Sequence, residues 1–172
     1  KSTLMKILMG IYEADSGEIE LDGKIVKIAG PHDAQDFGVA MIHQELNPVR
    51  DMTVFENIFL GREMRTRLGL ADLSGMRTAA ADLLSELNIS VSSSAYMRDL
   101  SVAESQQIEI AKAMSTNARI VIMDEPTSAI ADNDVDNLFA QIRSLRSRGV
   151  GIIYISHKMD EIFRSVVTSC RS

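Results

Sequence analysis

Apolar positions along the chain follow two periods, and the changes of period mark its elements. At the start, Leu4, Ile7, Leu8 and Ile11 keep the i, i+3, i+4, i+7 spacing of an amphipathic helix over residues 1 to about 10, entered with neither a cap nor a preceding turn. Ile19 and Leu21, then Val26 and Ile28, alternate with polar residues across Asp22-Gly23, which predicts a hairpin of two half-buried strands. After a polar stretch with Pro31, the run VAMIHQ from Val39 predicts a buried strand ending at Gln44. Helical patterns and loops then take over, and Ala80, Leu83, Leu84 and Leu87 form one stripe. Ser101 followed by Glu104 is a capping box, so a helix opens there and runs to about Met114 with Ile108, Ala111 and Met114 on one face. Residues 120–123 are four apolar side chains without polar alternation, bounded by Arg119 and by Asp124-Glu125-Pro126, as expected of a central strand buried on both faces. Val135, Leu138, Phe139, Ile142 and Leu145 mark a helix that stops at Gly149, and VGIIYISH supplies a further buried strand ending at His157.

Strands separated by helices predict an α/β fold, with a core made of residues 1–44 and 116–172. Residues 45–115 read as a helical insert seated on that core, because strands resume only at Ile120. A chain of 172 residues fits one domain and can bury roughly 70% of its unfolded surface. A net charge of −6 argues against a surface that coats nucleic acid and against attachment to anionic lipid by bulk charge. Cys170 is the single cysteine, which rules out an intrachain disulfide and a CxxC metal site and suits a reducing compartment. No apolar run approaches the roughly 20 residues of a membrane span.

The candidate chemistry gathers at strand ends and helix starts. Ligands of open α/β sheets bind at the carboxyl ends of the strands, and Pro126 stops the central strand there. Asp124 can hold magnesium, directly or through water, while Glu125 polarises an attacking water; alternatively the two acids cap the strand and face solvent. Lys1-Ser2-Thr3 at the head of a helix matches the close of G-x-x-x-x-G-K-[ST], whose lysine meets the outer phosphates and whose next hydroxyl binds magnesium. Gln44 can bond a magnesium-bound or attacking water, or satisfy nearby backbone. The helix opened by Ser101, with small Ala103 allowing close approach, suits an anion such as a phosphate, or is an ordinary capped helix. His157, level with Asp124 and Glu125, can reach a terminal phosphate and hold the water or the carboxylate in line.

Taken with LSVAE, IMDEPTS, SAIAD and ISH, these stretches resemble the ABC-type ATPase domain, a P-loop NTPase fold with a mainly parallel sheet, a small antiparallel hairpin region and a helical insert. HQELNPVRDMTVFENIFLGRE and LSVAE-x-QQIEIAKA are most similar to the first nucleotide-binding half of bacterial monosaccharide importers. The resemblance implies ATP and Mg2+ as ligands, with Lys1, Ser2 and Thr3 from the phosphate loop and Gln44 as the Q-loop. It implies that Leu100, Ser101, Val102, Ala103 and Glu104 are the signature gripping ATP on a partner domain. Asp124 is then the magnesium ligand alongside Ser2 and Gln44, Glu125 the general base, residues 128–132 the D-loop with Asp132 near the nucleotide, and His157 the switch histidine. Three departures stand out. The glycines of the Walker A phosphate loop, the strand before them and the adenine-stacking aromatic are absent, as expected of a chain truncated within that motif. Val102, Ala103 and Glu104 replace the commonest Gly, Gly and Gln, and SVVTSCRS after Arg164 does not match the family's next strand.

The expected function is an energy-coupling ATPase on the cytoplasmic side of the membrane, peripheral to it, with the truncated chain alone expected to be inactive. Its partners would be a second ABC ATPase domain in a head-to-tail sandwich, permease subunits, and indirectly a periplasmic sugar-binding protein. No nucleic acid is expected, since a ribosome- or DNA-directed ABC protein fits poorly with the net charge of −6. The alternative is a non-catalytic truncated remnant or regulatory fragment that keeps the fold without turnover.

Overall fold

A computed structural model describes residues 2–42, 48–128, 130 and 132–158. The chain opens with α1 (Ser2–Leu8), followed by a hairpin of β1 (Ile19–Leu21) and β2 (Lys24–Val26) and by α2 (Pro31–Asp36). Asp22 and Gly23 both have positive φ, 51° and 74°, which makes the hairpin connection a two-residue turn of the type that matches strand twist. β3 (Val39–Ile42) leads into α3 (Val54–Ile58), α4 (Leu73–Glu86), a 3-10 turn (Met97–Asp99) and α5 (Val102–Met114). β4 (Ile120–Asp124), α6 (Asp132–Ser147) and β5 (Gly151–Ile155) complete the described elements.

β3, β4 and β5 form a parallel sheet in that order, with β4 in the middle. Side chains alternate across a strand, so residue parity decides which layer each one joins. Val39, Met41, Ile120, Ile122, Ile153 and Ile155 face Met5 of α1, Met9 just after it and Ala34 of α2. Ala40, Ile42, Val121, Met123, Ile152 and Tyr154 face the opposite layer, built from α3 to α6. The apolar run at 120–123 has no alternation because both faces of β4 are covered.

Helices α3, α4 and α5 share one core with the sheet: Val54, Ile58, Ala80, Leu84, Ile108 and Ala111 are buried in the same cluster as Ile42, Val121 and Met123. A second capping box, Thr53 with Glu56, opens α3, and Asp72 caps α4 by accepting from the Gly75 N–H at 2.8 Å.

Two elements differ from the sequence pattern. In α1 and the turn that follows it the buried positions are Met5 and Met9, an i, i+4 pair, whereas Leu4 is 57% and Ile11 47% exposed. Methionine's unbranched, adaptable side chain fills the layer as well as leucine would, and that offsets the buried stripe by one residue. β5 is half-buried and ends at Ile155, two residues before His157. Among the described strands it lies at the edge, with β4 on one side only.

Candidate functional site

Because the sheet is parallel, its carboxyl ends open on one rim. The register pairs Ile42 with Met123 and Asp124 with Ile155, so the chain leaves all three strands at the same level. Asp124 is the last residue of β4 and half-buried. Glu125 follows with φ +48°, a left-handed conformation that costs a non-glycine residue about 1–2 kcal/mol. Hydrogen bonds at both of its peptide groups hold it there: its N–H donates to the Ile155 carbonyl at 2.9 Å, and its carbonyl accepts from the Ser128 N–H at 3.1 Å. The strand thus turns sharply while its end stays tied to β5.

This turn brings Glu125 to His157. Nδ1 of His157 lies 3.0 Å from Oε1 of Glu125, with the carboxylate side chain 27% and the imidazole 69% exposed. An imidazole N–H donating to one carboxylate oxygen fixes that group and leaves its other oxygen to accept a proton. Beneath them Thr127 and Ser156 are buried, and Ser156 Oγ accepts from the Lys158 N–H at 3.0 Å. Asp124, Glu125 and His157 therefore lie together at the carboxyl ends of two neighbouring strands.

The start of α5 is capped as expected. Ser101 Oγ accepts from the Glu104 N–H at 3.2 Å and donates to Glu104 Oε2 at 2.8 Å, and the same oxygen accepts from the Ser101 N–H at 2.8 Å. The bonds from the Ser101 backbone and hydroxyl hold the Glu104 carboxyl below its ordinary range, against a smaller upward push from burial. Val102 is exposed and Ala103 half-buried. Ala103 lines a small pocket with Ile130 and Asp134, so this helix start adjoins Ile130 and the first turn of α6. Thr3 is exposed in the first turn of α1. Lys1 and Gln44 lie outside the described residues, and Ser2 and Asp132 are described only as helix backbone.

Asn57 is a positioning residue that the sequence pattern passed over. It is 1% exposed, and its amide pairs with both backbone groups of Val49: Oδ1 accepts from the N–H at 2.8 Å and Nδ2 donates to the carbonyl at 3.0 Å. Nδ2 also reaches the Thr53 carbonyl at 3.0 Å. The chain returning from the end of β3 is thereby fixed to α3. The available signal was a lone amide amid the buried apolar residues of TVFENIFL.

A sequence profile for the ABC transporter family matches residues 1–128. The chain belongs to that family. It is 52% identical over 163 residues to a putative ribose/galactose/methyl galactoside import ATP-binding protein of Hahella chejuensis, covering 95% of this chain and 32% of that protein. It is 48% identical, over 95% of its length, to 33% of a ribose import ATP-binding protein of Lacticaseibacillus paracasei. The chain spans about a third of the length of these curated relatives. The fold matches a nucleotide-free ATP-binding cassette from an ABC transporter with a TM-score of 0.79 at 23% identity, over 95% of this chain and 68% of that one. It matches another such cassette, in its ADP conformation, with a TM-score of 0.80 at 24% identity, over 96% and 68%. The α/β P-loop fold of the ABC type, with a parallel sheet and a small antiparallel hairpin, is thus established.

Proposed function

We propose that this chain belongs to the ATP-hydrolysing subunit of an importer for a simple sugar. The observation that carries this reading is the contact between Glu125 and His157 at the ends of β4 and β5, in a chain about half identical to named ribose and galactose import ATP-binding proteins.

In this reading ATP lies along the strand ends. Water attacks the terminal phosphorus, the bond from that phosphorus to the bridging oxygen breaks, and the water's proton passes to the free oxygen of Glu125. His157 holds the carboxylate so that this oxygen faces the water. Asp124 fits magnesium, which needs only one or two carboxylates when substrate phosphates and water complete its shell. Ser2 and Gln44 would join Asp124 as ligands, and the ion would neutralise charge on the transferring phosphoryl group.

Lys1, Ser2 and Thr3 are assigned to the phosphates, and Asp132 to the edge of the same site. Ser101, Val102 and Ala103 would meet ATP bound on a second cassette, in the head-to-tail pairing that gives each nucleotide contacts from both domains. Residues 45–115 form the insert on the core of 1–44 and 116–172 and would face permease subunits, with a periplasmic sugar-binding protein acting through them. No described helix is long and apolar enough to cross a membrane. A peripheral position on the cytoplasmic face follows from the permease pairing.

Ser101→Ala separates this assignment from simple helix capping. The lost cap costs about 1 kcal/mol of stability. ATP hydrolysis by the protein assembled with its second cassette should also fall, because the hydroxyl no longer contacts the facing nucleotide. A variant that loses the stability and keeps full cassette-dependent hydrolysis reduces Ser101 to a cap.

A further inference from the structure

The pocket beside Ala103 sets amide side chains among apolar ones, Ile130 and Leu138 included. Gln106 on α5 is 97% buried by its 3% exposure, and its Nε2 has no hydrogen-bond partner. Gln141 on α6 carries a buried Oε1 that also lacks one. Both side chains line the same pocket, with Gln107, Asp134 and Asn137 beside them. One orphan is a donor and the other an acceptor. The pocket measures about 10 Å³, the space that one water molecule needs.

We propose that Gln106 and Gln141 together bind a single buried water that ties the helix bearing Ser101 to the helix following the 128–132 segment. The water accepts from Gln106 Nε2 and donates to Gln141 Oε1, satisfying two groups whose burial otherwise costs stability. Placement gives the link its consequence. Ala103 lies one helical turn before Gln106 and lines the same pocket as Ile130, so the bridge sets the spacing between the start of α5 and Ile130. Both glutamines interrupt apolar stripes: Gln141 falls between Leu138 and Leu145, and Gln106 precedes Ile110 by four residues. Gln106 and Gln141 are positioning residues, and this positioning role rests on the function proposed above.

The test combines a high-resolution crystal structure with a double-mutant cycle on the intact protein, using Gln106→Leu, Gln141→Leu and the pair. An ordered water within hydrogen-bond distance of both amides is expected; a dry pocket, or a direct bond between the two amides, overturns the proposal. Each single variant strands the other amide and should lower the folded-to-unfolded ratio about tenfold, while the double variant should be no worse than the poorer single. Losses that simply multiply overturn the link. The singles should also lower kcat for magnesium-ATP hydrolysis while KM for ATP stays within about twofold, because ground-state binding is not touched. Unchanged kcat in destabilised singles overturns the positioning role. A protein that shows the water and the coupling yet hydrolyses no ATP overturns the proposed function alone and leaves the bridge standing.

Discussion

Glu125→Gln is expected to leave ATP binding intact and to slow hydrolysis by roughly 10²- to 10⁴-fold, about 3 to 5 kcal/mol of barrier. The amide has the size of the carboxylate and keeps an oxygen to accept from His157 Nδ1, now 3.0 Å from Oε1. The backbone bonds from Glu125 N–H to Ile155 and from Ser128 N–H to Glu125 do not involve the side chain, so the turn survives. What is lost is the ability to take a proton from water. Equilibrium binding of magnesium-ATP and single-turnover phosphate release read the two halves separately. Unchanged turnover refutes Glu125 as the base, and loss of binding along with turnover assigns it to nucleotide retention.

Ile122→Ala is expected to cost about 2–5 kcal/mol, the range for deleting most of a fully buried aliphatic side chain. Ile122 is 0% exposed, in the middle of the strand that pairs on both sides, and packs with Met5, Met9, Ala34 and Val39. Those neighbours come from three other elements that cannot all close on the void. Urea unfolding should show a lower midpoint at an unchanged slope. A loss below about 1 kcal/mol would mean that the layer of α1 and α2 packs only loosely on the sheet.

The central strand was legible because burial on both faces leaves a continuous apolar run, and the residues after it were legible because strand ends in such sheets are where chemistry sits. The capping box at Ser101 and Glu104 was equally plain, since its partners are local in sequence. The stripe of α1 was misread for lack of weight on methionine: Met5 and Met9 are buried and Leu4 is not. The half-buried state of β5 could not be read from VGIIYI, because the run alone does not say how many neighbours the strand has. Glu125's positive φ has no composition signal at all; it is held by the Ile155 carbonyl on the neighbouring strand and by the Ser128 N–H. Asn57 and the Gln106 and Gln141 pair were missed for a shared reason. Each is a neutral amide whose role depends on what lies opposite it in space.

The most direct measurement is phosphate release from ATP by the intact, purified protein, with and without magnesium. The account predicts magnesium-dependent turnover that requires both Glu125 and His157. Absence of release with magnesium present, in a protein that is folded and binds ATP, would contradict it.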